Sequence, residues 1–475
     1  MSTTNNRWIA LAILLTAPFL SVIDVFIINI AIPSIQKGVH ATDGQIQLVI
    51  AGYLLGYAAF LITGGRAGDA FGRKKVFIWG MLLFTFISCI CGLAQSANVL
   101  NVARFLQGIS AAFMVPQTIT YIQVLFPEPE KRTKAIGFFG ITLGLASVIG
   151  QFMGGYFSSL SGAIEGWRFI FFINLPIGIL SLYMAKRYLK ETVINTSQKF
   201  DYAGVGILTT ALVCLIYPLI QGREAGWPLW SILAIAGSFG VFWYFITHQK
   251  SKFKKGGNPL IHMELFKYKD FNLGLLAVLF FFMVHSSYLL ISTVFFQEGL
   301  GIKPYQAGLI FVFFGAGFTL SSLLSVRYVI RYGKVVLQWG VLLMIACLLL
   351  QYRFFNSDLS RAQIVAVLIM YGFGGGMVMP SLLNMALKSM PVHHAGAAAG
   401  VYSTFQQTAS ALGVSIIGGI FFFFANGHAP NHSFTHAFHY GIIAEIICLV
   451  VVGFVLHLLP APKQSAVTQP LVFAE

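Results

Sequence analysis

The chain has 475 residues, 57% of them hydrophobic and only 9% charged, with a formal net charge of +15 and a mean hydropathy of +0.79. A soluble domain carries about 25% charged residues, so this chain cannot cover itself with polar surface. Its polar stretches are each too short for a sizeable soluble domain, and the composition implies a polytopic membrane protein.

A hydrocarbon core about 30 Å thick needs about 20 apolar residues of helix. Apolar runs between polar breaks predict fourteen spans, at 8–30, 46–65, 76–95, 99–122, 135–157, 167–188, 202–221, 228–247, 271–295, 305–326, 335–355, 362–387, 397–424 and 438–459. They lack strand alternation and are too long for barrel strands, so helices are expected. The first is long enough to span and no small-residue cleavage site follows it, so no cleavable signal peptide is expected. It contains FLSVIDVFIINIAIP, residues 19–33, with Asp24 as its one carboxylate. A charge in hydrocarbon is costly unless paired, hydrated or protonated, so Asp24 is a candidate functional residue. The loop after the second span reads GRAGDAFGRK, Gly65 to Lys74, in which Gly65, Gly68 and Gly72 permit close backbone approach and a tight turn. Asp69 there can pair with cations across a gate or meet a helix N-terminus.

The fourth span carries Arg104 in RFLQGISAA, and the fifth carries SVIGQFMGG with Gly150, Gln151, Gly154 and Gly155. Small residues at four-residue spacing let membrane helices pack closely. Asp24 is about six residues from one end of the first span, and Arg104 about five from the same side of the fourth; at 1.5 Å per residue they lie at similar depth. A carboxylate held between apolar burial and a cation can titrate near working pH. The polar loops 189–201 and 248–270 bracket the spans between 202 and 247, which suggests six helices, an inserted pair, and six more. The expected divisions are 1–190, 191–255 and 256–475.

His285 lies mid-span in the ninth helix, where a histidine can titrate near neutrality. Glu298 in QEGLGIKP reads as a solvated rim residue at the outer end. The loop RYVIRYGKVVLQWG, 327–340, repeats the Arg, Gly, cation and Trp-Gly pattern of RAGDAFGRKKVFIWG, 66–80. Parallel repeats of this kind build many secondary transporters, with the site where the halves meet. The loop NGHAPNHSFTHAFH holds His428, His432, His436 and His439; helical spacing there would resemble a metal face, but Pro430 interrupts it and a solvated loop is expected. Glu445 lies in the last span. Cys89, Cys91, Cys214, Cys347 and Cys448 all fall in apolar segments and read as buried thiols, not as a disulfide or metal framework.

With the N-terminus inside, the inner loops and tails hold 23 of the 30 Lys and Arg, and the outer loops hold Lys37, Arg223, Lys303, Arg353 and Arg361. This asymmetry predicts both termini in the cytoplasm. It also explains the net charge as a topology signal facing an anionic leaflet, so no nucleic-acid partner is expected.

Four stretches resemble the major facilitator superfamily, in particular its fourteen-spanner drug:proton antiporters. They are GRAGDAFGRK, similar to G-x-L-a-D-r-x-G-r-[kr]; Arg104 with Gln107 and Gly108, similar to R-x-x-Q-G; the glycine motif of the fifth span, with Gln151 where the family has proline; and Asp24, Asn29, Ala31 and Pro33 at the family spacing in the first span. WRFIFFINLPIG, 167–178, is a further similarity, and Ala70 stands where the family usually has arginine. The resemblance implies an all-α major facilitator fold: two six-helix bundles plus the inserted pair. It implies a proton-coupled multidrug or small-molecule exporter working by alternating access. In that fold the first and fourth spans neighbour each other, so Asp24 and Arg104, at similar depth, are expected to influence one another; in that reading Asp24 carries the proton with Arg104 and His285, and the substrate cavity draws on Asn29, Gln107, Gln117, Tyr121, Tyr288, Asn384, Gln406 and Gln407. The gate is Gly65, Asp69, Gly72, Arg73 and Lys74. Glu445, on a helix peripheral in that fold, reads as structural. Expected partners are protons, membrane lipids and an amphipathic or aromatic substrate suited to a chain with 45 Phe and 18 Tyr. No cofactor, metal or nucleotide is expected, and a monomer in the plasma (inner) membrane is. A specific exporter or importer of a siderophore, lipid or amino acid shares the same fold. A membrane-embedded sensor or enzyme is the other class, but no nucleotide motif, catalytic triad or metal spacing supports it.

Overall fold

The computed structural model describes residues 3–192, 200–355, 360–388, 390–425 and 433–459. Fourteen helices are long and apolar enough to cross a membrane, and no strand occurs among the described residues. They are α1 (Thr3–Gly38), α2 (Asp43–Phe71), α3 (Arg73–Leu93), α4 (Ala97–Leu125), α5 (Pro129–Ser158), α6 (Gly166–Tyr188), α7 (Tyr202–Glu224) and α8 (Leu229–Lys254). The second half comprises α9 (Lys269–Val294), α10 (Pro304–Tyr332), α11 (Lys334–Phe354), α12 (Arg361–Leu387), α13 (Val392–Ala425) and α14 (Phe434–Leu458). A helix satisfies its backbone groups within one segment and without water, and polar residues close the ends. Thr42 with Gln45 and Ser360 with Gln363 form capping boxes at the starts of α2 and α12, and Ser96, Asp201 and Ser433 cap α4, α7 and α14.

Helices α1–α6 form one bundle and α9–α14 the other, meeting along α2 against α13 and α5 against α10. The inserted helix α7 packs on α2 and α13, while α8 packs chiefly on α7. The start of α1 and the end of α14 share one face, called here the terminal face.

The internal repeat extends to the backbone. Gly72 and Gly333 each end one helix and begin the next at positive φ, +96° and +58°, a region that favours glycine. Beyond them, Gly80 brings α3 against Met114 of α4, and Gly340 brings α11 against Gly374 and Met377 of α12.

The two bundle interfaces splay toward the terminal face. At the opposite face, positions Gly155 and Gly308 bring α5 and α10 into backbone contact, a Cβ on Gly155 lying 3.0 Å from the Gly308 Cα. Further along, a Cβ on Gly144 would meet Thr319 at 3.4 Å, while Gly137 and Gly140 have nothing within 4 Å. The α2–α13 interface behaves alike: Gly418 is tight against Gln47, Gly400 reaches Ile62 at 3.6 Å, and Gly396 has nothing within 4 Å. The opposite face is also fastened by Lys37 to Glu298 (2.9 Å) and by Gln297 Nε2 donating to the Ile30 carbonyl (2.8 Å). Glu298 is thus a cross-bundle ion-pair partner and not only a solvated rim residue.

Candidate functional site

The site is built on α1, α3, α4 and α6. Arg104 and Gln107, one helical turn apart, share a face of α4. That face meets Asp24, and both ion-pair partners are essentially sealed, Asp24 at 0% and Arg104 at 1% exposure. Arg104 Nη1 donates to Asp24 Oδ2 at 2.5 Å, and Gln107 Nε2 donates to Oδ1 at 3.1 Å. Asn174 Nδ2 donates to the same Oδ1 at 3.5 Å and to Ser88 Oγ at 2.9 Å. Arg104 is held further: its Nε donates to the Val49 carbonyl (3.0 Å), its Nη1 also to Gln107 Oε1 (2.7 Å), and its guanidinium lies 4.4 Å from the Tyr53 ring. Tyr53 in turn shares a 2.8 Å hydrogen bond with Ser21. A buried pair this short and this fully hydrogen-bonded can offset the desolvation of two charges, whereas removing either partner strands the other.

The structure does not bring His285 to this pair. Asp24 and Phe26 point to different faces of α1, because residues two apart on a helix do not share a face. Phe26 meets His285 at 6.5 Å, and Phe281, Phe282, Phe314 and Phe318 complete an aromatic surround at 6.1–6.5 Å. His285 is half-buried where α1, α9 and α10 meet.

The residues expected to line a cavity are dispersed. Gln107 belongs to the ion-pair cluster. Gln117 is buried and donates to the Gly64 carbonyl, joining α4 to α2. Tyr121 is buried too, its hydroxyl donating to the Lys190 carbonyl at 2.9 Å, so it anchors the chain after α6. Asn29 donates to Val25 within α1. Tyr288 lies inside the second bundle on Gln351 (3.1 Å). Asn384 is exposed on α12, and Gln406 and Gln407 are half-buried on α13. Hydropathy marks these residues as polar in apolar helices but does not say which face each occupies.

In the gate loop Asp69 pairs with Arg73 at 2.8 Å inside the loop itself, not across the bundles. Lys74 is held by its own bundle, its Nζ donating to the Lys186 carbonyl and its N–H to Glu191. Glycines 150 and 154 seat α5 on α1, where an added Cβ at Gly154 would meet the Ile27 carbonyl at 2.5 Å. Both polar atoms of Gln151 are buried without a partner. His428 and His432 lie outside the described residues, and no cluster of three or more metal-binding side chains occurs among those described.

The inserted pair adds contacts that the sequence did not reveal. Arg223 Nη2 donates to Gln47 Oε1 (3.0 Å), and Gln47 Nε2 donates across the bundles to the Val414 carbonyl (2.8 Å). Glu224 accepts from Thr42 Oγ1 and from the Gly44 N–H at the start of α2. At the other end of α7, Asp201 is buried. Burial works against its charge, yet Lys252, Gln249 and the N–H groups of Gly204 and Leu260 outweigh that and hold the carboxyl down at about 2.

The sequence profile of the Major Facilitator Superfamily matches residues 14–414. A probable actinorhodin transporter from Streptomyces coelicolor is 34% identical over 88% of this chain and 73% of its own length. The puromycin resistance protein pur8 of Streptomyces alboniger is 29% identical (87% and 80%), and multidrug resistance protein 3 of Bacillus subtilis 28% (88% and 80%). Among solved structures, a bacterial homologue of the human lysosomal transporter Spinster superposes with a TM-score of 0.67 at 17% identity, covering 96% of this chain and 97% of that one. A D-xylose-proton symporter gives 0.66 at 14% identity (94% and 97%). With its fourteen spanning helices and two repeated bundles, this chain belongs to the major facilitator superfamily and is a transporter, not an enzyme.

Proposed function

We propose that this transporter is a proton-coupled exporter of amphipathic or aromatic small molecules, working by alternating access in the plasma (inner) membrane with both termini in the cytoplasm. Asp24 is the proton carrier. The observation that carries this reading is the sealed Asp24–Arg104 pair on α1 and α4. Protonation of Asp24 removes the charge that holds Arg104 to α1, while Arg104 keeps its bonds to Val49 and Gln107 and its place over Tyr53. The change therefore falls on α1. That helix also carries Phe26 against His285 and the carbonyls of Ile23 and Ile27 against α5, so a shift of α1 reaches both the aromatic surround and the bundle interface. Proton and substrate each bias the population between states. The half-buried aromatic region around His285 suits a flat or apolar substrate. The positive residues of the terminal face support its cytoplasmic placement, and the chain is taken to act as a monomer. The names of the antibiotic and multidrug relatives support export. Efflux of ethidium from cells at two external pH values tests it: wild type should empty faster at the acidic value, and Asp24→Asn should lose that dependence. Undiminished pH-driven efflux in the variant contradicts the assignment.

Dedication to one metabolite is a second reading. It is favoured by the 34% identity to a transporter named for a single antibiotic, against 28% for multidrug resistance protein 3. A panel of unrelated substrates separates the two.

A further inference from the structure

The second bundle contains a buried carboxyl group that the proposed cycle does not use. Glu445 on α14 has 0% exposure. Its Oε1 accepts from Ser287 Oγ of α9 at 3.0 Å, and its Oε2 has no partner. Around it the second bundle holds further polar groups. Tyr288 donates to Gln351 Oε1 of α11 and stacks against Tyr371 of α12 with ring centroids 4.0 Å apart. Gln351 Nε2 and the Tyr371 hydroxyl are both buried and unpartnered. The polar cluster thus draws on α9, α11, α12 and α14, the repeat counterparts of α1, α3, α4 and α6 that build the Asp24 site.

The repeat can be counted residue by residue. Ser96 and Ser360 cap α4 and α12, and Pro116 and Pro380 interrupt them. Counting from either landmark places Tyr371 where Gln107 stands and Leu368 where Arg104 stands. Counting from Trp79 and Trp339 places Gln351 where Cys91 stands. Leu368 is fully buried. The second site therefore has its carboxyl group on α14, the counterpart of α6 and not of α1, with amide and hydroxyl neighbours and a leucine at the arginine position. The titratable groups that face Glu445 are Tyr288 from α9, Tyr371 from α12 and Cys448 on its own helix, with Cys347 from α11 beside the tyrosines. Helix α13 meets α14 through Phe421 on Phe434 and Phe424 on Tyr440. No cation reaches the carboxyl among the described residues. A buried carboxylate without a counter-charge is costly, and a proton is the remaining source of neutrality.

We propose that Glu445 is a second proton-binding site, in which a proton bound at Oε2 takes the place that Arg104 holds in the first bundle. The transporter then has two sites of exchangeable charge, one per bundle, and the second does not depend on Asp24 being the carrier. Ser287 orients the carboxyl group, while the unpartnered Gln351 and Tyr371 atoms offer water or the proton a path.

Infrared difference spectroscopy of the full chain in phospholipid vesicles tests this, with the proton as probe. Between acid and alkaline buffer the wild type should lose a carbonyl-stretch band of the buried Glu445 acid, besides any band of Asp24. That band should be absent in Glu445→Gln and present in Asp24→Asn. In Ser287→Ala, with Glu445 intact, it should move in frequency, which keeps the assignment testable if Glu445→Gln does not fold. A spectrum in which Glu445→Gln loses no pH-sensitive band, or in which every such band disappears in Asp24→Asn, overturns the proposal. Either outcome leaves the Asp24 assignment standing while removing this one.

Discussion

The two bundles place a carboxyl group among the same four repeat-related helices and neutralise it differently. In the first, Asp24 is met by Arg104 at 2.5 Å and by two amides; in the second, Glu445 is met by one serine, and Leu368 stands at the arginine position. The difference separates two demands. Fold and packing tolerate either arrangement, so the arginine is a feature of one site's chemistry and not of the scaffold.

The largest expected effect comes from making the first site resemble the second. Arg104→Leu strands a buried carboxylate and should cost about 3–5 kcal/mol, read as a fall in thermal unfolding temperature in detergent. The Asp24→Asn, Arg104→Leu double variant should recover most of that loss, since removing both charges spares the stranded one. A double variant no more stable than Arg104→Leu would mean that the arginine acts through packing instead.

Next come the bundle seams. Gly155→Val drives a side chain into the Pro304 carbonyl of α10, 2.6 Å from an added Cβ, and overpacking should cost about 1–3 kcal/mol in the same assay. The counterpart on the terminal-face half of α5, Gly140→Val, meets nothing within 4 Å and should be close to neutral. Equal effects would contradict the splayed interface.

The α7 latch is smaller. Asp201→Asn removes the acceptor for Lys252 and should cost about 1–3 kcal/mol at neutral pH. The sign follows from a carboxyl whose folded value, about 2, lies below the ordinary value near 3.9. Its contribution is present above the ordinary value and fades as pH falls toward the folded one. Wild type and variant should therefore converge in acid and differ at neutrality. The smallest effect concerns Gln151, whose buried amide has no partner. Gln151→Leu should favour the state closed at the opposite face by about 1 kcal/mol, visible as a shift in cross-linking between α5 and α10.

The fourteen spans were legible because hydrocarbon thickness fixes helix length. The Asp24–Arg104 pairing followed from depth, since the helical rise converts sequence position into height, together with the helix neighbours that the family resemblance implies. Azimuth was not legible. Nothing in the sequence shows that Asp24 turns into its bundle while Phe26, two residues on, turns toward His285. Asn174 joins the cluster from 150 residues away, and an asparagine in an apolar helix announces no partner. Arg223 counts as an outer-loop cation in sequence, yet it closes the last turn of α7 onto Gln47, because the helix runs further than its apolar stretch.

The central claim is that Asp24 couples transport to protons and is not merely part of the route. Reconstituted wild type and Asp24→Asn should be compared for two activities: downhill exchange of ethidium without a proton gradient, and uphill accumulation driven by a pH difference. The account predicts that the variant retains exchange and loses accumulation. A variant that still accumulates ethidium against its gradient would contradict it.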